Sequence, residues 1–199
     1  MTHNELKMLQ ALPLDIKIMK TELRIKEWIE HFGIDNVYVS FSGGKDSTVL
    51  ANICRRLYPN IKMVFANTGQ EYPETISFVL KKKKEGWDID IVRPKIRFKD
   101  VLEKYGYPVI SKEQSTFIYQ YRTAKSEKTK TTRFNGNKWN RGKISEKWKY
   151  LIESDFKISA NCCDILKKNP IKNYEKLTGR KPIVGTMVDE SSLRISTYL

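Results

Sequence analysis

The residues best suited to chemistry are Ser40-Phe41-Ser42-Gly43-Gly44-Lys45-Asp46-Ser47, where two glycines are flanked by hydroxyls, one cation and one carboxylate. Paired glycines let a backbone approach a phosphate and turn successive N–H groups toward it, because no Cβ stands in the way. A helix starting immediately afterwards adds unpaired N–H groups and the positive end of its dipole. Ser42, Ser47 and Thr48 bring hydroxyl donors, and Lys45 brings a point charge. Asp46 cannot stabilise a phosphate directly, so its expected use is to hold Mg²⁺ or a magnesium-bound water. An ordinary serine-capped Gly-Gly turn would use the same two glycines. The whole hexapeptide after a hydrophobic strand favours a nucleotide loop. It is not the nucleoside-triphosphatase P-loop, which needs four residues between its first glycine and Gly-Lys-Ser/Thr.

Alternating elements must position that loop. Leu14, Ile18, Leu23, Ile25, Trp28 and Ile29 fit a helical period from Leu14 to Phe32, with Gly33 as a stop. Val37 to Phe41 has the β-branched and aromatic composition of a buried strand, and Thr48 to Tyr58 resumes a helical pattern. Lys62 to Ala66 reads as a second strand, Pro73 to Lys84 as a helix with proline and Glu74 in its first turn. Ile89 to Val92 and Lys181 to Gly185 read as further strands. The expectation is an α/β fold: a Rossmann-like, mainly parallel sheet flanked by helices.

The 199 residues suit one domain with an appendage. The expectation is therefore one nucleotide-binding domain over 1–199 carrying a basic helical insertion at 112–160. Residues 112–149 hold eleven Lys or Arg against three Glu, a net of +8 within a chain of formal charge +14. Phe117, Tyr119, Tyr121, Phe134, Trp139, Trp148 and Tyr150 are threaded through and beside this segment, whose centre, Ser126 to Gly142, is expected to be mobile. Such a surface attracts polyanions, although scattered lysines also form ordinary solvated faces and the tryptophans also serve as core residues. No apolar run approaches the roughly 20 residues of a membrane span, and Met1 to Lys20 lacks a signal-peptide core. Three cysteines cannot build a disulfide framework, so the expected location is a reducing cytoplasm. His3 falls in a terminus expected to be mobile, and His31 near the end of the first helix.

The Ser-Gly-Gly-Lys-Asp-Ser loop resembles the pyrophosphate loop of the adenine-nucleotide alpha-hydrolase, or ATP-pyrophosphatase, superfamily, whose signature is Ser-Gly-Gly-x-Asp-Ser. Phe65-Ala66-Asn67-Thr68-Gly69-Gln70-Glu71-Tyr72-Pro73-Glu74-Thr75 resembles the second-strand motif of phosphoadenosine-phosphosulfate reductases. The resemblance implies that Asn67, Thr68 and Gly69 lie beside the adenosine part of a nucleotide. A helix start capped by Thr68 and Glu71 is a compatible reading. Tyr107-Pro108-Val109-Ile110-Ser111-Lys112 is similar to a segment of phage and mobile-element members. Gly185 to Arg194 resembles the family's Gly-x-Arg-x-x-Glu-Ser-x-x-Arg region, which implies nucleotide contact near Glu190 and anion contact by Arg194. Met187 stands where the pattern has arginine.

Asn161-Cys162-Cys163 with Lys167 and Pro170 resembles the Cys-Cys-x-x-x-Lys-x-x-Pro segment of cluster-bearing sulfonucleotide reductases, where the adjacent cysteines ligate an iron–sulfur cluster. Such a cluster requires four ligands. The only other cysteine, Cys54, reads as a small core residue, and the family's C-terminal region with its further cysteines is expected to be absent. Three functions stay open. One is a sulfonucleotide enzyme acting on phosphoadenosine phosphosulfate, with Lys45 and Arg194 stabilising charge. Another is an Mg²⁺-dependent ATP pyrophosphatase adenylating a nucleic acid for sulfur insertion, as in tRNA thiolation or DNA phosphorothioation. The third is a non-catalytic nucleotide-binding subunit or sensor. The expected partners are an adenine nucleotide, a nucleic acid through the basic insertion, and a second copy or a partner chain completing the C-terminal part, with no membrane.

Overall fold

The computed structural model describes residues 3–186. Its elements, in chain order, begin with α1 (His3–Ala11), α2 (Leu14–Phe32), β1 (Val37–Ser40), α3 (Lys45–Leu57), β2 (Met63–Ala66) and α4 (Pro73–Lys84). They continue with β3 (Ile89–Val92), α5 (Phe98–Tyr105), α6 (Lys112–Thr123), α7 (Glu127–Asn135), α8 (Asn169–Thr178) and β4 (Lys181–Ile183). The chain divides into two compact units: residues 3–67, 71–92 and 173–186 form the first, and 68–70 with 93–172 the second.

The first unit is built on a four-stranded sheet in the order β3-β2-β1-β4. Every pairing is parallel, with Val39 opposite Met63, Val64 opposite Asp90, and Tyr38 opposite Pro182. Parallel sheets are covered on both faces, which is why Val37, Tyr38 and Val39 are all fully buried. One face presents Val37, Val39, Phe41, Met63, Phe65 and Ile89 to a core shared with Ile25 and Ile29 of α2, Leu50 and Cys54 of α3, and Val79 of α4. On the other face the Tyr38 hydroxyl donates to Glu175 Oε1 at 2.8 Å, and the Tyr174 hydroxyl of α8 donates to Asp90 Oδ2 at 3.0 Å. Cys54 is a buried core residue, as its helical position implies, and burial pushes its thiol up to about 12.

Two local expectations change. Helix α3 starts at Lys45 rather than Thr48, because Gly44 is its N-cap and the first turn, Lys45-Asp46-Ser47, has no apolar residue to betray the helical period. Helix α4 starts at Pro73 with Tyr72 as N-cap and no side-chain cap, so Thr68 and Glu71 lie too far upstream to form a capping box. His3 is the first residue of α1.

The second unit has its own core of Ile118, Ile144, Leu151 and Ile158, with Phe117, Tyr121 and Trp148 packed against it. Trp139 is two-thirds exposed and belongs to no core cluster among the described residues. Helix α7 occupies Glu127–Asn135, inside the segment expected to be mobile. Two of the basic residues hold this unit together. Arg122 donates to the carbonyls of Leu151, Ile152, Ser154 and Phe156 at 2.7–2.8 Å. Arg133 donates to Gln120 Oε1 and to the Gly142 carbonyl, both at 2.7 Å, with its guanidinium over the Phe117 ring.

Candidate functional site

Strand β1 is central in the sheet: the chain proceeds outward to β2 and β3 on one side and returns to β4 on the other. That reversal is a topological switch point, and ligands of open parallel sheets bind outside the carboxyl ends of the strands at such a point. The glycine loop leaves the carboxyl end of β1 there. Ser40, the last strand residue, pairs in register with Val64, and Phe41 N donates to the Val64 carbonyl at 2.9 Å.

The loop is held by hydroxyls. Ser47 is buried; its Oγ accepts from Ser42 N at 3.2 Å, lies 2.9 Å from Ser42 Oγ, and donates to the Gly44 carbonyl at 2.9 Å. Thr48 Oγ1 donates to the same carbonyl at 2.8 Å. Ser47 and Thr48 thus spend their donors on the loop itself, and the first backbone N–H groups of α3 have no partner within the helix. Gly43 has φ +75°, and a Cβ there would stand 3.0 Å from Thr75 Cγ2 and 3.2 Å from Val79 Cγ2 of α4. Gly44 is extended, with φ −80° and ψ 166°, as an N-cap should be. Lys45 is exposed and Asp46 half-buried in the first turn.

Other chain segments converge on this end of the sheet. Asn67 follows β2, and its N–H donates to the Val92 carbonyl at 2.9 Å, which places it one strand away from the loop. Gly185 follows β4 and runs against α3: a Cβ on it would lie 3.4 Å from the Asp46 carbonyl and 3.3 Å from Leu50 Cδ2. Thr75 and Gly185, which fall within the resemblance motifs, pack at this end of the sheet, and Val79 is a support of the loop that sequence patterning does not single out, since packing against a glycine leaves no periodic signal. A cavity of about 730 Å³ also lies in this unit, lined by Lys20, Arg24, Trp28 and His31 of α2, by Leu50, and by Pro182 to Val184 with Thr186. Its volume is that of a small-molecule site.

The remaining sequence-predicted residues divide clearly. Thr68 and Gly69 fall in the second unit, where Thr68 Oγ1 accepts from Gln70 N at 3.2 Å and Gly69 has φ +80°. Glu190 and Arg194, together with Met187, lie outside the described residues. Cys162 and Cys163 are half-buried in the second unit, at the start of a helical run that passes through a π-turn at Asp164–Lys168 into α8. Asp164 is hydrogen-bonded to Lys168, which holds its carboxyl below the usual range. Among the described residues no group of three or more His, Cys, Asp or Glu converges as a metal site, and no helix is long and apolar enough to cross a membrane.

The model of the phosphoadenosine phosphosulfate reductase domain family matches residues 36–143, more than half of the chain. The chain belongs to this family. Over 81 residues, 40% of its length, it is 36% identical to the adenosine 5'-phosphosulfate reductase of Pseudomonas aeruginosa, of which it covers 30%. Over 73 residues, 36% of its length, it is 38% identical to an uncharacterized protein of Methanocaldococcus jannaschii, of which it covers 18%. The chain thus spans less than a third of the length of these relatives. The crystal structure of phosphoadenylyl-sulfate reductase from Candida auris, a phosphate complex, is similar at a TM-score of 0.43 and 13% identity, over 88% of this chain and 69% of that one.

Proposed function

We propose that the chain is an adenine-nucleotide-binding enzyme acting on ATP or a sulfonucleotide, in sulfur transfer or reduction. The observation that carries this reading is the braced glycine loop at the carboxyl end of β1, with its hydroxyls turned inward and its helix N-terminus open. The N–H groups of the first α3 turn hold a phosphate or the leaving pyrophosphate, and Lys45 neutralises charge that develops on the departing group. Asp46 is a single carboxylate in that turn, so it fits a magnesium ion delivered on the nucleotide's own oxygens rather than a protein cage. The magnesium ion would polarise the phosphoryl oxygens.

An iron–sulfur cluster fits less well. The chain has three cysteines, and Cys54 is buried in the core of the first unit. Cys162 and Cys163 alone are two ligands of the required four. If the reaction is reductive, Cys162 and Cys163 are better placed to supply a thiol than Cys54, whose buried thiol stays protonated.

A second reading, adenylation of a nucleic acid, is supported by the exposure of Trp139 and Tyr150 within a basic stretch. Aromatic faces stack on bases while cations track phosphates. Calorimetry with ATP, phosphoadenosine phosphosulfate and adenosine bisphosphate, with and without Mg²⁺, tests the main proposal; failure of all three to bind overturns it. Pyrophosphate release from ATP selects adenylation, and sulfite release with a thiol donor selects reduction. Asp46→Ala should lower magnesium-dependent turnover by at least tenfold while changing nucleotide affinity less, and equal turnover rejects its assigned role.

A further inference from the structure

The second unit contains a cavity of about 280 Å³ lined by Lys104, Tyr105, Tyr119, Arg122, Thr123, Lys157, Ile158 and Asn161. Three cations line it and no carboxylate does. Among the described residues none of the three cations forms an ion pair. Arg122 is satisfied by neutral acceptors, so its charge remains uncompensated. The Lys157 ammonium donates to the Lys104 carbonyl at 3.2 Å, near the C-terminal end of α5, and leaves two of its three protons for another acceptor.

The backbone brings these like charges together by a constrained route. Tyr107 and Ile158 form an isolated parallel bridge, Tyr107 N donating to the Lys157 carbonyl at 2.9 Å and Ser159 N to the Tyr107 carbonyl at 3.2 Å. Gly106, at φ +108°, permits the approach: a Cβ there would lie 2.9 Å from both the carbonyl carbon and oxygen of Lys157. A side chain at 106 would clash with the Lys157 backbone and force one of the two segments to shift. Lys104, Lys157 and Arg122 line this one cavity with no acid among its lining residues, and the resulting positive potential attracts an anion.

We infer that this cavity is an oxyanion site, separate in its residues from the glycine loop, that takes a sulfate or phosphate group. The Lys104 and Lys157 ammonium groups supply charge, and the Asn161 amide with the Tyr105 and Tyr119 hydroxyls supplies uncharged donors. The volume sits just under the range of about 300–1,000 Å³ for drug-sized ligands, so the occupant is a small anion or the anionic end of a larger molecule.

Amide NMR of the whole chain titrated with sodium sulfate and, in parallel, sodium phosphate tests this. The expected result is saturable shifts at Tyr119, Lys157 and Asn161. Lys104→Gln/Lys157→Gln should weaken binding at least tenfold, whereas Lys125→Gln, which removes a charge outside the lining, should leave it unchanged. Asn161→Ala should also weaken binding, although it leaves net charge intact. Tighter phosphate binding assigns the site to a phosphate ester, tighter sulfate binding to a sulfo group, and equal binding to the free oxyanion. Shifts that never saturate, an equal loss in Lys125→Gln, or shifts confined to Ser42–Thr48 overturn the inference. Nucleotide binding read at Ser42 and Gly44 in the same spectra is an independent outcome.

Discussion

Gly43 shows how a single position connects sequence to binding. Its positive φ is open to glycine, and its missing Cβ lets Thr75 and Val79 pack against the loop. Gly43→Ala should destabilise the protein by more than about 1 kcal/mol through backbone strain and contact with Thr75 Cγ2. It should also weaken nucleotide affinity, measurable by chemical denaturation and calorimetry; an unchanged midpoint would mean the loop relaxes freely. Ser47→Ala makes a different prediction. It removes the acceptor of Ser42 N and a donor to the Gly44 carbonyl, costing about 1–3 kcal/mol. Because Ser47 braces the loop from inside, its loss should lower affinity for ATP and for adenosine bisphosphate alike. Lys45→Ala should instead penalise the ligand with more phosphate charge. These roles were only half legible: the hexapeptide marks the loop, but hydroxyl direction decides whether a serine meets ligand or backbone.

At the scale of elements, the docking of α8 on the sheet depends on two phenols. Burial first, and then the hydrogen bond to Asp90, pushes Tyr174 up to about 12; burial and Glu175 raise Tyr38 above the ordinary tyrosine range. A raised folded pKa means that the neutral form is the one favoured by folding. The resulting stability is full below the unfolded tyrosine value of about 10 and is lost as pH rises through the folded values. Denaturation midpoints should therefore fall as pH rises above about 10, and Tyr38→Phe/Tyr174→Phe should flatten that fall. A slope equal to that of the wild type would remove these tyrosines from the alkaline transition. The elements themselves were readable where pattern was strong. Helix α2 spans Leu14–Phe32, α4 spans Pro73–Lys84 and β3 spans Ile89–Val92, as their periodicity and composition predict. Helix α5, Phe98–Tyr105, was not anticipated, although Phe98, Val101, Leu102 and Tyr105 recur at i, i+3, i+4 and i+7; the pattern was legible but spans only eight residues.

Across the whole molecule, charge has at least two uses. The surplus of +14 suggested a polyanion surface, yet Arg122 and Arg133 spend their guanidinium groups holding carbonyls and a ring inside the second unit. Arg122→Met should destabilise that unit by more than about 1 kcal/mol, because it removes a donor from four carbonyls, of which those of Leu151 and Phe156 also accept from Ser154, whereas Lys125→Ala should change stability by less than about 0.5 kcal/mol. Hydrogen exchange resolved by residue checks both; equal protection in the Arg122 variant would show that the carbonyls find other partners. The sequence by itself determined the alternating elements and the glycine loop, because β-branched runs, helical periods and paired glycines are local signals. Only the tertiary structure decided that β1 lies between β2 and β4, that Ser47 turns inward, and that Lys104 and Lys157 meet across Gly106. Each of those outcomes joins residues distant in the chain or sets the direction of a hydrogen bond, and neither leaves a mark in the order of residue types.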